Sequence, residues 1–457
     1  MAGRLKPVSQ ERLAQALAGF TGRLRQLRAQ GFSDPALTAS FRARARAAKL
    51  EYLSRPAFYL ARLAERVEDE GGRVHFAGDA AEARQQVVAI CARAGVSRLV
   101  KGKSMTCEEI ELNPALEAVG IQATETDLGE FIIQLAGETP FHILGPALHR
   151  TRREIAELFS RHFEPVDPDP KALTALARKV LRERFLQAEA GLTGVNVMAC
   201  DSGTMALVTN EGNGRFCSTL PRVHIAVMGL EKPVPTLGDL ALISTLLPRA
   251  AVGWPLSSYV SWLRGAAGRS AGAGPREFHL VIVDNGRSRI LASDYREILL
   301  CLRCSSCLNH CPIYIAAGGH QYGWVYTGPM GSVLTPLLRG EEGDEDLSQA
   351  STLCGVCREK CPMGIDLPGL LLRRRQEARP PLHGLLPRLA AEMLSHRELF
   401  QGACRLAAPL LKGLSHLDDK HLPPGPWRGW RRGRRLPPMS GSTLLGALRH
   451  SKDRTRG

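Results

Sequence analysis

Apolar residues recur at helical spacing through SQERLAQALAGFTGRLRQLRAQ (9–30), and residues 1–70 as a whole read as a helical region. From residue 71 the pattern changes. GRVHFA (72–77), SRLVKGKSM from Ser97, GIQATETDL (120–128), PFHILGPAL (140–148), RVHIAVMG (222–229) and EFHLVIVDNG (277–286) predict strands. Between them, AAEARQQVVAICARAG from Ala80, RTRREIAELFSRHF (150–163) and PKALTALARKVLRERFLQAEAGL (170–192) predict helices. VNVMACDSGTMALVTNEGNGRF (195–216) predicts two short β runs with a polar, glycine-rich end. Thr106 and Glu109 have capping-box spacing, which predicts a helix starting near Thr106. Such alternation implies an open α/β sheet with helices on its faces over residues 71–290. RGAAGRSAGAGP (264–275) reads as a loop within that domain.

A third pattern begins near residue 291. SDYREILLCLRC predicts a helix, with Ser293 or Asp294 as its N-cap, that runs directly into the first cysteine motif and opens a 291–380 domain. Residues 381–457 predict one or two amphipathic helices followed by a Pro/Arg-rich tail.

Composition narrows the class. At 44% hydrophobic and 23% charged residues over 457 positions, the chain is an ordinary globular protein of two or three domains. Its most apolar stretch, 237–263, is broken by Asp239, Pro248, Arg249 and Pro255, which argues against a membrane span. The N-terminus lacks the apolar segment of a secretory signal, and the arginines of FRARARAAKL (41–50) suit an amphipathic surface helix better than a transit peptide. A cytoplasmic location is expected. The net charge of +15 is uneven, with WRGWRRGRRL (427–436) its densest part. That tail suits peripheral contact with an acidic lipid surface or an acidic partner. No nucleic-acid signature accompanies it, so no nucleic-acid partner is expected.

Seven of the twelve cysteines fall between 301 and 361, which indicates metal or redox work rather than disulfides. Cys91, Cys107, Cys200, Cys217 and Cys404 are scattered and read as small buried hydrophobes. Cys301, Cys304, Cys307 and Cys311, followed by Pro312, form C-x2-C-x2-C-x3-C-P, the bacterial [4Fe–4S] run. Three thiolates at intervals of three let one short loop reach three irons; the fourth serves the other cluster in two-cluster proteins. Cys354, Cys357, Cys361 and Pro362 repeat the run with Ser351 in the first place. Structural zinc fits this spacing poorly, because its knuckles pair two C-x2-C units or mix in histidine. The expected assignment gives one [4Fe–4S] cluster Cys301, Cys304, Cys307 and Cys361, and the second Cys311, Cys354 and Cys357. The fourth corner of the second stays open: Ser351, His320, water, a partner's residue, or a missing iron in a [3Fe–4S] cluster.

Several segments in order carry a family resemblance: KGKSMTCEEIELN (101–113), ETDLGEFIIQLAGETPFHILGPALH (125–149), SGTMALVTNEGNGR (202–215), CLRCSSCLNHCPIY (301–314), GGHQYGWVYTGPMG (318–331) and CGVCREKCPMGIDLP (354–368). Across roughly residues 50–400 the chain resembles the LutB-type lactate-utilisation iron–sulfur proteins. The resemblance implies a LUD domain of Rossmann-like, NagB/CoA-transferase-like fold, then an α-helical ferredoxin domain with two clusters. It also implies oxidation of L-lactate to pyruvate together with two companion subunits, a second cysteine-rich protein and a LUD-only protein. The seven-cysteine arrangement belongs to the family pattern; Gly102 departs from it, where the family reads K-S-K-S-M.

Iron–sulfur clusters carry single electrons, so the residues themselves imply an electron-transfer subunit and name no catalytic residue. A relay for glycolate or another 2-hydroxy acid is the alternative, as is a catalytic LUD module with structural or regulatory clusters. Within the LUD region Ser202, Thr204, Asn210, Glu211, Asn213 and Arg215 surround a glycine-rich turn, either a self-satisfied hairpin or an anion site. Glu211 as a CoA-transferase-like nucleophile rests on fold analogy alone. Asp127, Glu130, His142 and His149 are expected to be structural.

Overall fold

The computed structural model describes residues 11–266, 274–340, 344–377, 385–404 and 406. Residues 1–377 form one compact unit and 378–457 a second. In the second unit a helix spans Leu385–Ser395; the basic run 427–436 lies outside the described residues.

Among the described residues there are ten strands: β1 Gly72–Ala77, β2 Arg98–Lys101, β3 Gln122–Glu125, β4 Ala190–Gly194, β5 Val197–Ala199, β6 Thr204–Thr209, β7 Val223–Gly229, β8 Pro233–Val234, β9 Tyr259–Leu263 and β10 Glu277–Val283. Six make a sheet in the order β1-β10-β7-β4-β2-β3, and every pair in it is parallel. β7 shows why. All seven of its residues, VHIAVMG, are buried, as a strand covered on both faces requires. The remaining four strands form a smaller mixed sheet, β8-β5-β6-β9, in which β5 and β6 are an antiparallel hairpin.

Chain order sets where the sheet opens. From β2 the chain moves outward to β3, whereas from β4 it moves the other way to β7. β2 and β4 are neighbours whose exits diverge, and a crevice forms beyond Lys101 and Gly194. This is the topological switch point at which open α/β sheets take ligands.

Several local expectations need correction. PFHILGPAL (140–148) is not a strand but a turn-rich loop closed by Phe141 N–H donating to the Pro146 carbonyl at 2.9 Å; Pro140 and Pro146 both lack the donor a ladder needs. The helix near Thr106 begins at Met105 and is capped by Ser104, whose Oγ accepts from Cys107 N–H. Glu109 does not close a capping box there, because it is drawn into a buried ion pair with Arg287. Arg296–Leu300 is a 3-10 turn without a side-chain cap; Ser293 Oγ accepts from Tyr295 N–H, and Asp294 pairs with Arg373. The helix from Pro170 ends at Gln187, since Ala190–Gly194 is taken into the sheet as β4.

The N-terminal helices Glu11–Gly31 and Pro35–Ser54 are more than a solvated surface. Arg28, Arg42 and Arg46 donate to the carbonyls of Lys360, Glu359 and Met363 at 2.6, 2.8 and 2.9 Å. Guanidinium groups thereby satisfy the carbonyl end of the short helix Val356–Glu359. The loop 140–148 meets the cysteine region from the other side. A Cβ at Gly319 would stand 1.7 Å from the Phe141 carbonyl oxygen, so only glycine permits that approach.

Candidate metal centre

The two cysteine runs fold as near copies offset by 50 residues. Short helices Ser306–Asn309 and Val356–Glu359 occupy matching places. Before each, the residues flanking the matching cysteines Cys304 and Cys354 adopt left-handed backbone: Arg303 and Ser305 at φ 61° and 62°, Leu353 and Gly355 at φ 54° and 84°. For Arg303, Ser305 and Leu353 that conformation costs on the order of 1–3 kcal/mol each, strain of the kind that persists at functional sites. The turn wraps each loop around its sulfurs.

Both C-P corners aim backbone N–H groups at sulfur. Cys311 receives them from Ile313 and Tyr314, and Cys361 from Met363, Gly364 and Ile365. Such donors stabilise a thiolate and tune a bound cluster.

The thiols fall into two sets. Cys301, Cys304, Cys307 and Cys361 line one small space walled by Met330, Met363, Ile365 and Leu367. Burial, reinforced by Cys301 and Cys361, pushes the Cys304 thiol up to about 12. Cys307 is likewise raised well above the usual thiol value, first by burial and then by Cys301, Cys304 and Cys361. The other set is Cys311, Cys354 and Cys357: burial and then Cys311 and Cys354 push the Cys357 thiol up to about 12. Cys357 also acts on Cys307, so the two sets adjoin. Cys354 is exposed, whereas Cys311 and Cys357 are buried. Among the described residues, no group of three or more His, Cys, Asp or Glu gathers about a single-ion site.

Ser351 stands in the second run where Cys301 stands in the first. Its Oγ accepts from Leu353 N–H at 3.1 Å, as Cys301 Sγ accepts from Arg303 N–H at 3.4 Å. His320 is held elsewhere: its Nε2 meets the Thr139 carbonyl at 2.8 Å and its ring packs edge-on against Phe141.

Around Cys301 lies a group of charges that no local pattern announces. Arg287, 1% exposed at its side chain, forks onto Glu109 through two bonds of 2.7 Å and reaches Glu231 at 2.5 Å. Arg303 reaches the other oxygen of Glu231 at 3.2 Å and lies over the Tyr326 ring. Tyr326 in turn donates to Glu109 at 2.5 Å. Lys49 donates to the Glu231 carbonyl. Burial opposes ionisation of Glu231 and Glu109, yet their arginine partners hold both carboxyls below the usual range. Burial pulls Lys49 down to about 7.

These residues test whether a cluster fits. Arg303 is 7% exposed, and its Nε and Nη1 have no hydrogen-bond partner. Arg303 already pairs with Glu231 through Nη2, and its two remaining buried donors, beside Cys301, suit an anionic, thiolate-ligated cluster. Soft sulfur donors suit iron–sulfur chemistry. The residues fit the group.

The remaining candidates scatter. Asp127 N-caps the helix Leu128–Ala136. Glu130 is buried against Lys103 at 3.4 Å, and burial lifts its carboxyl to about 7. His142 meets Asn309 at 2.9 Å, and His149 meets Glu138 at 2.8 Å. Ser202 bonds Thr204 at the β5–β6 turn, and Arg215 donates to Ser261. Asn210, Glu211 and Asn213 instead line a cavity at the switch point. Of the isolated cysteines, Cys91, Cys107, Cys200 and Cys217 are buried as expected, whereas Cys404 is partly exposed.

The family description "LUD domain" matches residues 60–283, and "4Fe-4S dicluster domain" matches residues 297–365. Lactate utilization protein B of Bacillus velezensis is 39% identical over 94% of this chain and 92% of its own. The protein of that name from Shouchella clausii is 43% identical over 83% of this chain and 82% of its own. The one from Bacillus subtilis is 39% identical over 94% and 91%. A solved structure of a duf162 family protein from Deinococcus radiodurans is similar over 50% of this chain and 97% of its own, at 16% identity and a TM-score of 0.29.

Proposed function

The chain belongs to the lactate utilization protein B family, and we propose that it is the iron–sulfur electron-transfer subunit of a complex oxidising L-lactate to pyruvate. The single observation that carries this reading is the pair of adjoining thiol sets, the second of which reaches solvent at Cys354. A [4Fe–4S] cluster supplies reversible one-electron transfer.

The chain's own residues do the rest. Cys301, Cys304, Cys307 and Cys361 hold one cluster, and Cys311, Cys354 and Cys357 the second. Ser351 takes the second cluster's fourth corner; support comes from the bond it shares in kind with Cys301. Arg303 offers unpaired N–H groups toward the first cluster and raises its potential by its charge. A Rossmann-like, NagB-like LUD domain over 71–290 and a helical ferredoxin domain over 291–380 make up the architecture. Companion subunits, a second cysteine-rich protein and a LUD-only protein, supply the remaining chemistry in the cytoplasm.

The test is anaerobic titration of the cluster-loaded chain with L-lactate and with glycolate, alone and with the companion proteins, read by EPR. Reduction by lactate only when the companions are present is the expected result. Reduction of the isolated chain by either acid overturns the pure-relay reading, and preference for glycolate overturns the substrate.

A further inference from the structure

Beyond Lys101 and Gly194, the crevice between β2 and β4 opens into a cavity of about 480 Å³. Its lining includes Gly102–Ser104 leaving β2, and Thr193–Asn196 where β4 ends. Gly194 is needed there, because a Cβ would stand 2.8 Å from Ser104 Oγ. On another side the lining is Leu302, Arg303 and Cys304, so one wall of the cavity is the first cysteine loop itself.

Size and chemistry narrow the occupant. Volumes of 300–1,000 Å³ suit ligands of cofactor size, and a three-carbon acid would fill only a fraction of this one. Ile132, Ile143, Leu207, Leu247 and Ala251 offer apolar walls to a flat ring system. Three cations, Lys103, Lys232 and Arg303, line it as well, with Lys103 paired to Glu130 and Arg303 to Glu231. Glu211 and Asp127 add acceptors for hydroxyl or ring N–H groups.

We propose that this cavity binds a flavin nucleotide, its ring held against the loop of Cys304. The inference rests on the electron-transfer reading. Removal of hydrogen from a hydroxy acid involves two electrons and a cluster accepts one, and flavins are the common organic cofactors that serve both. The apolar walls take the ring, and the cations suit its phosphate and its anionic reduced form.

The experiment uses the full chain with clusters loaded, under anaerobic conditions, titrated with FMN and with FAD. Saturable quenching of flavin fluorescence, at about one flavin per chain, is expected for one of them. A Cβ at position 102 meets nothing closer than 3.7 Å, so the backbone accepts a side chain there. Gly102→Leu narrows the cavity at its β2 wall and should weaken binding at least about tenfold; Gly102→Ser should weaken it less. Iron content and circular dichroism, unchanged in both variants, separate loss of the cavity from loss of the fold. Absence of saturable binding by either flavin overturns the proposal, as does binding indifferent to Gly102→Leu. Saturable binding of L-lactate in place of flavin also overturns it. A chain that relays electrons to its companions yet binds no flavin keeps the relay and loses this site.

Discussion

Ser351 holds in the second cysteine loop the place that Cys301 holds in the first. Each accepts through its side chain from the backbone N–H two residues on, Leu353 at 3.1 Å and Arg303 at 3.4 Å. Oxygen therefore stands where the repeat would put sulfur, beside a cysteine, Cys354, that is exposed.

If Ser351 occupies the fourth corner, Ser351→Ala should leave that corner to solvent, and about one iron per chain should become labile. Ser351→Cys should keep full iron and shift the EPR signal of one cluster only. Iron content and spectra identical to wild type in both variants would remove the serine from the ligand set.

Exchange of ligands between loops has its own signature. Cys311→Ser should disturb the cluster held by Cys354 and Cys357 while the other cluster's signal persists. Cys361→Ser should do the converse. Cluster-resolved EPR decides the matter, and the reverse pattern would mean that each loop holds its own cluster.

Arg303 places a buried positive charge beside Cys301, with Glu231 shared between it and Arg287. Arg303→Gln should lower the potential of the first cluster by on the order of 100 mV, the scale of one unit charge at close range in a protein interior. The second cluster's potential should move far less. Redox titration followed by EPR reads both, and a uniform shift of the two would contradict a local charge effect.

His142 joins the 140–148 loop to Asn309, between Cys307 and Cys311. Burial holds it neutral, pulling its pKa from 6.5 down to about 4. The folded state thus binds fewer protons than the unfolded one in that range. The contribution is full above pH 6.5 and is lost as pH falls toward 4, by up to about 3 kcal/mol. Denaturant unfolding between pH 7 and 4.5 should show the slope, and His142→Phe should flatten it. An unchanged slope in that variant would assign the acid sensitivity to other groups.

Much of this protein is legible locally. The central strands β7 and β10 announce themselves by their apolar runs, since a strand covered on both faces has no polar side to show, whereas β4, AGLTG, reads as the end of a helix. The cysteine spacing, likewise, names its chemistry because ligands two or three residues apart share one loop. Local rules fail where a distant partner outbids them. Glu109 has the spacing of a capping residue, but Arg287, 178 positions away, takes its carboxylate into the core. Phe141 sits in an apolar run that reads as a strand, but two prolines and the approach of Gly319 make it a loop.

The sequence by itself determined the cluster chemistry, the α/β alternation and the vacancy in the cysteine repeat, because each is written within a few residues. Only the tertiary structure decided that Glu109, Glu231, Arg287 and Arg303 share one buried charge group, and that Ser351 repeats the side-chain bond of Cys301. It alone opened a cavity between β2 and β4 against the first cysteine loop. Those relations join segments far apart in the chain, where desolvated charges must find partners wherever the fold brings them, and no local pattern records the meeting.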